Sequence, residues 1–348
     1  MVRPVIGLIN KYDAGKFPKS EGYINLSSNE NPYPPAEDVL KAIEKSVERV
    51  VNRYPDPEYP ELKRAISEYL KVDVNEIFLG NGVSDCIYNI CNTLIDTLDK
   101  VTVPMPSYTM YVMYSMVREA SINYKVYPYY RIDFEDFIES ARDSKLVFLC
   151  SPNNPTGNSI PVEGIREIVE SVRGYVVLDE AYVEFSDSSA IKLTDTYENL
   201  IVMRTFSKFF GLAGLRVGYG VCKDDRVVSA LEKVRLPFCI NHIGVVACVE
   251  AIRCLDYYRR IRDKIVKERE RVYNELSKFE KIEVFPSKAN FLLVKSDNLR
   301  LADKLEKRKI LVRDVTGLTG LIGEHVRITI GKPEENNALL NALKEILT

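Results

Sequence analysis

Between residues 75 and 205 the chain repeats one alternation, a short apolar run followed by a longer segment with apolar residues every three or four positions. NEIFLG (75–80), KVTVP (100–104), SINYKVYPY (121–129), KLVFLC (145–150), YVVLDEAY (175–182) and NLIVMRT (199–205) are the short runs. SDCIYNICNTLIDTL (84–98), SYTMYVMYSMV (107–117), FEDFIESAR (134–142) and VEGIREIVESV (162–172) lie among them and read as helices. Strands that are apolar throughout are covered on both faces, and joining them through helices keeps them parallel. The fold class expected is therefore α/β, a large domain with a mostly parallel sheet flanked by helices.

The texture differs at both ends. The first 35 residues, including INLSSNENPYPPAED, are rich in Pro, Asn, Ser and Tyr and read as an extended arm. A helix is expected over Pro35–Arg49 and another over Glu61–Leu70, with the proline-punctuated loop RYPDPEYPE (53–61) between them. After about Asn241 come a long charged helix, roughly Cys254–Lys278, and the short strands KIEVFP, NFLLVK, ILVRDV and HVRITI, with two helices among and after them. That reads as a smaller α+β domain. The division is an arm over 1–35, a large domain over 36–245 and a small C-terminal domain over 246–348. Acidic residues are interspersed with the arginines of the long helix, so it reads as a solvated face, and a net charge of −2 gives no electrostatic case for nucleic acid or an anionic membrane. No apolar run is long enough to cross a bilayer and the N-terminus has no signal-peptide pattern, so a cytoplasmic protein is expected. Seven cysteines without a CxxC pair read as buried thiols, and two histidines are too few for a zinc site or for chemistry led by imidazole; no metal is expected.

Ligands of such sheets collect beyond the carboxyl ends of the strands. After NEIFLG come Asn81-Gly82-Val83-Ser84-Asp85 and a helix, a start that either offers free N–H groups to a phosphate or is simply capped by Ser84 or Asp85. After KLVFLC comes SPNNPTG, a rigid turn with two asparagine amides. YVVL ends in Asp179, whose carboxylate needs a cationic partner if buried; a structural ion pair would satisfy it equally well. After LIVMRT, Lys208 sits among Phe206, Phe209 and Phe210, with Arg216 eight residues on. A lysine in such company must pair, lose its charge or react. Together, a phosphate-binding helix start, an amide, a carboxylate, a tyrosine, a lysine and an arginine are the groups a pyridoxal phosphate site requires.

NNPTG, DEAY and TFSKFFGLAGLR resemble the aspartate-aminotransferase superfamily, fold type I, of pyridoxal-phosphate enzymes, in the right order over essentially the whole chain. SSNENPYPP, RYPDP, PMPSYTMY, LVRD and VRITIGKPEEN are similar to the histidinol-phosphate aminotransferases within it. The resemblance implies transamination of L-histidinol phosphate with 2-oxoglutarate, in histidine biosynthesis running the other way from glutamate. It implies that Lys208 forms the Schiff base with pyridoxal 5'-phosphate and then moves the substrate proton, that Asp179 pairs with the ring nitrogen, and that Asn154 and Tyr182 hydrogen-bond the ring oxygen. Tyr108 would stack on the ring. Thr205, Ser207, Arg216 and the backbone N–H groups of Val83, Ser84 and Asp85 would hold the cofactor phosphate, and Tyr54 would reach the phosphate in the neighbouring subunit of a homodimer. Arg313 and Arg327 would bind the substrate's anionic groups, with Asn29 and Tyr12 of the arm as further substrate contacts. GNGVSD departs from the commoner Gly-Ala-Asp-Glu type of phosphate loop, which leaves its backbone role but not its side-chain contacts. The alternatives are L-threonine-phosphate decarboxylation on the same scaffold and transamination of aromatic amino acids. A pyridoxal-phosphate-binding regulator would carry a DNA-binding domain ahead of the arm, and none is expected here.

Overall fold

The computed structural model describes residues 2–18 and 20–347. Strand β1 (Ile24–Leu26) comes from the arm. β2 (Ile77–Gly80), β3 (Lys100–Met105), β4 (Ser121–Val126), β5 (Leu146–Cys150), β6 (Tyr175–Asp179), β7 (Leu200–Thr205) and β8 (Gly218–Cys222) form a seven-stranded sheet in the order β2-β8-β7-β6-β5-β3-β4. The five neighbours from β7 to β4 run parallel, while β8 is antiparallel to both β2 and β7. β9 (Ile282–Phe285), β10 (Phe291–Ser296), β11 (Ile310–Asp314) and β12 (Glu324–Thr329) form the second sheet, in the order β1-β11-β12-β10-β9.

The central strands are apolar throughout because each feeds two cores. In β6, Val176 and Leu178 pack into one and Val177 into the other. Covering both faces removes the alternation of polar residues that a half-exposed strand would show. β4 lies at the sheet edge with its residues exposed or half-buried, and it is the strand whose sequence is most polar.

Two elements differ from the sequence expectation. GYGVC is the strand β8, which the alternation in the sequence does not single out. The glycines are needed for closeness: a Cβ at Gly220 would come within 2.2 Å of the edge of the Phe78 ring on β2, and one at Gly218 within 2.5 Å of Gly82 and Val83. The arm also contributes β1, which pairs in parallel with β11 and so joins the small sheet. The division expected at 245/246 falls inside one helix, His242–Arg253, which packs against the helices Glu37–Val50 and Pro60–Leu70.

Candidate active site

The carboxyl ends of β2, β5, β6 and β7 open onto a cleft of about 590 Å³, closed on the far side by the small sheet and the arm. Lys208, Asp179, Asn154, Tyr182, Tyr108, Val83, Ser84, Thr205, Ser207, Arg216, Arg313, Arg327 and Tyr12 all line it. The strand ends explain the gathering. Asp179 is the last residue of β6 and Thr205 the last of β7, and the chain leaves both strands at the same edge.

Asp179 is buried. Its Oδ2 accepts a hydrogen bond from Tyr111 Oη at 2.7 Å and its Oδ1 one from the Ala181 N–H at 2.9 Å. Among the described residues no cation lies within ion-pair distance of it. Burial pushes its carboxyl up to about 6, opposed by those two hydrogen bonds and by Lys208, while Glu180 adds to the rise. Lys208 donates from Nζ to the Ser28 carbonyl at 2.9 Å and lies over the Tyr182 ring, 5.8 Å from its centroid. Burial lowers its amine to about 7, and the Arg327 guanidinium is the next cause. A buried carboxylate without a counter-ion and a lysine whose amine loses its proton near neutral pH therefore share one floor.

A cradle for an anion sits at one end of the cleft. The helix Val83–Leu94 begins here, preceded by Gly82 at φ 83°. A Cβ at Gly82 would come 2.5 Å from Arg216 Nη2, so glycine is required by both its backbone conformation and the approach of the guanidinium. The Asp85 N–H is already given to the Gly82 carbonyl at 3.1 Å, and its Oδ2 accepts from the Asn81 N–H at 2.9 Å. Asp85 thus braces the turn from behind, and the N–H groups of Val83 and Ser84 are the ones left to face a ligand. Thr205 Oγ1 accepts from the Ser207 N–H at 3.0 Å, which fixes the Thr205 hydroxyl against the backbone of Ser207. Ser84 Oγ lies 3.1 Å from Tyr108 Oη.

The opposite wall comes from the small sheet. Arg313 and Arg327 stand directly opposite each other in the register of β11 and β12. Arg327 donates from Nη1 to Asn154 Oδ1 at 2.6 Å and from Nη2 to the Ser27 carbonyl at 2.8 Å, while its buried Nε has no partner. Holding Oδ1 in this way turns the amide of Asn154 so that its Nδ2 is the donor left over. Arg313 is tied to the backbone and side chain of Asp13 in the arm, and its guanidinium lies 5.8 Å from the centre of the Tyr12 ring. A second compartment of about 430 Å³ adjoins the cleft, sharing Tyr12, Tyr108, Asn154 and both arginines and continuing along Val112, Met113 and Met116.

Besides Asp85, two expected residues lie outside the cleft. Asn29 is wholly buried behind its wall, donating from Nδ2 to Tyr182 Oη at 2.9 Å and hydrogen-bonded to Thr329, so its amide holds the Tyr182 hydroxyl. Its polar amide fits a core because every polar atom there finds a partner. Tyr54 is 80% exposed, is not among the residues lining this cleft, and stacks on Phe238 with centroids 4.4 Å apart.

Sequence reasoning also passed over several residues. Tyr111 stands one helical turn after Tyr108, a spacing that places both on one face and would have pointed to it. Glu180 and Arg204 form a buried ion pair at 2.8 Å on the far side of the Asp179 turn, with Glu184 at 3.6 Å from the same arginine. A charged residue inside LIVMRT was the signal for that pair.

The donor set fits pyridoxal 5'-phosphate. The anionic end of such a group has the helix start, two hydroxyls and Arg216. A protonated ring nitrogen supplies the counter-ion that Asp179 lacks, and a lysine amine of lowered basicity faces an aldehyde. Residues 21–343 match the family described as aminotransferase class I and II. The chain is 50% identical to histidinol-phosphate aminotransferase 2 of Archaeoglobus fulgidus, over 99% of this chain and 100% of that one. The crystal structure of the histidinol-phosphate aminotransferase of Clostridium acetobutylicum superposes with a TM-score of 0.87 at 30% identity, covering 93% of this chain and 98% of that one. That of the Sinorhizobium meliloti enzyme, in complex with pyridoxal-5'-phosphate, gives 0.85 at 27% identity, covering 93% and 90%. Matched over most of its length and half identical to a relative from end to end, the chain belongs to the class I and II aminotransferases.

Proposed function

We propose that this enzyme is a pyridoxal-phosphate-dependent aminotransferase that acts on L-histidinol phosphate and 2-oxoglutarate, running from glutamate in the biosynthetic direction. The observation that carries the reading is the joint placement of Lys208 and the unpaired Asp179 on the floor of one cleft, with Arg313 and Arg327 on its wall. The half-identical relative is named for this activity, which supports the choice of substrate.

Bound in the cleft, pyridoxal 5'-phosphate supplies an aldehyde that takes up an amino group and a protonated ring that draws electrons from the substrate Cα. Asp179 would hold the ring nitrogen, and Asn154 Nδ2 and Tyr182 Oη the ring oxygen. Arg216, Thr205, Ser207 and the N–H groups of Val83 and Ser84 would hold the phosphate, with Tyr108 against the ring. Lys208 Nζ, its basicity lowered to about 7 by burial, would take the proton from the substrate Cα and hand it to the carbon that entered as the aldehyde. Arg327, fixed by Asn154 and Ser27, presents a preoriented fork to the anionic group of either substrate. Arg313 and Tyr12 bring the arm to the same anion. One arginine pair serves a phosphate in one half of the cycle and a carboxylate in the other.

We infer a homodimer in which Tyr54 of the partner subunit reaches the cofactor phosphate. Its exposure and its stacking on Phe238 outside its own cleft support this. Among the described residues no helix is long and apolar enough to cross a membrane. All seven cysteines are free, which supports a reducing, cytoplasmic setting.

The test is a half-reaction followed by absorbance. Holoenzyme mixed with L-histidinol phosphate alone should pass to the pyridoxamine form, and 2-oxoglutarate should reverse it. Release of carbon dioxide from L-threonine phosphate without that conversion would move the reading to a decarboxylase. Failure of the protein to take up pyridoxal phosphate at all would overturn it.

A further inference from the structure

Tyr111 is fully buried in the helix Thr109–Val117. Its ring stacks on Phe148 with centroids 4.9 Å apart and planes 6° from parallel, and meets Tyr108 edge-on at 5.5 Å. A phenylalanine would satisfy both contacts. The hydroxyl adds a contact with the Cys150 thiol and the 2.7 Å hydrogen bond to Asp179 Oδ2. Burial raises this phenol well above its ordinary range, so it stays a donor. A neutral donor that cannot ionise favours the charged form of the carboxylate it meets. Among the described residues Asp179 has one other donor, the Ala181 N–H on Oδ1. Each oxygen thus has one fixed partner, and the plane of the carboxylate is set by two donors from different elements, the helix and the turn after β6.

We propose that Tyr111 is a positioning residue for the reaction, fixing the orientation and negative charge of Asp179 through its phenol hydroxyl. The proposal rests on the reading that Asp179 pairs with the cofactor ring. Tyr111 itself touches no reacting atom. The other titratable groups that face Asp179 are Lys208, Glu180, Tyr182, Tyr108, Cys150 and Cys86. Lys208 favours the charged carboxylate and Glu180 disfavours it, and neither is altered by removing the phenol oxygen.

The test is Tyr111→Phe, which keeps the ring and its stacking. In cofactor-free protein, the titration of the Asp179 carboxyl is followed by carbon-13 NMR, with Asp179→Asn used to assign the signal. Its midpoint should rise by about one pH unit. In the holoenzyme, kcat should fall roughly tenfold and its acid limb should move to higher pH by the same interval, with KM for the amino substrate within about twofold. Adding Tyr111→Phe to Asp179→Asn should cause no further loss. An unmoved midpoint, or a moved midpoint with an unmoved acid limb, overturns the proposal. Should Tyr111→Phe not fold, 3-fluorotyrosine at position 111 keeps the shape and strengthens the donor. The midpoint should then fall, and an unchanged or higher value overturns the proposal. A protein that binds no pyridoxal phosphate sinks the functional reading alone, because the titration in cofactor-free protein still decides what Tyr111 does to Asp179.

Discussion

The two walls of the cleft are built on different principles. The floor is made where parallel strands end, and its groups are buried and fixed by short hydrogen bonds: Asp179 by Tyr111 and Ala181, Tyr182 by Asn29, Ser207 by Thr205. The facing wall is assembled from a second sheet and the arm, and its outer members are open to solvent. Asp13, which ties Arg313, is exposed, and so are Tyr12 and Phe17. The difference separates two tasks. A cofactor that stays needs groups held in one geometry, whereas substrates that come and go need a wall that can part. Arg327 belongs to both sides, since it hangs from β12 yet is bonded to Asn154 of the large domain.

Substitutions can break this contrast, and the largest effects belong to the floor. Lys208→Ala should lower transamination by at least ~10³-fold, since one amine carries the proton and the cofactor linkage. Single-turnover absorbance measures it, and substantial residual turnover would remove Lys208 from the centre of the chemistry. Asp179→Ala should reduce kcat by about 10²–10³-fold, the scale of removing a preorganised charge. A loss of only a few-fold would make it structural.

The floor also carries a stability signature in cofactor-free protein. Lys208 has its folded pKa near 7, below the ordinary value of 10.5. From pH 7 upward to 10.5 the unfolded chain therefore binds more protons, and folding gains stability as pH rises. Asp179 works in the opposite sense: with a folded value near 6 against 3.8, it takes stability away as pH rises from about 4 to 6. Denaturant titrations of wild type and Lys208→Met should diverge by a few kcal/mol between pH 7 and 10, wild type gaining. Parallel curves would mean that Lys208 keeps an ordinary affinity for protons.

On the wall, Arg327→Ala should raise KM for both anionic substrates by about 10- to 100-fold, the scale of a lost charge-assisted hydrogen bond, with Arg313→Ala smaller because its position depends on the exposed arm. Equal losses at both would erase the distinction between a fixed and a movable arginine. The smallest effect is expected at Tyr54→Phe, a several-fold weaker retention of pyridoxal phosphate read by equilibrium dialysis. Unchanged retention would argue against a residue shared between subunits.

Much of the floor could be read from the chain because strand ends announce themselves. An apolar run that stops at Asp179 or Thr205 marks both the strand and the position of its last side chain. The wall was harder. Nothing local says that Arg313 will stand opposite Arg327, since that register follows from how β11 and β12 pair across the loop between them. Asn29 was expected to meet substrate from the arm, and its burial follows from the partners around it, Tyr182, Thr329 and Asn290. β8 was hidden by the glycines its neighbours require, and Tyr111 by resembling an ordinary aromatic in a helix.

The pairing of Ile24 with Ile310 has a consequence for how the molecule comes into being. The small sheet borrows its edge strand from near the beginning of the chain and its other strands from near the end, so the entire seven-stranded sheet is made in between. On the ribosome, β1 must wait for almost the whole protein before its partner exists. The large domain can form during that wait, and the cleft is completed last, when the final strands return to meet the first.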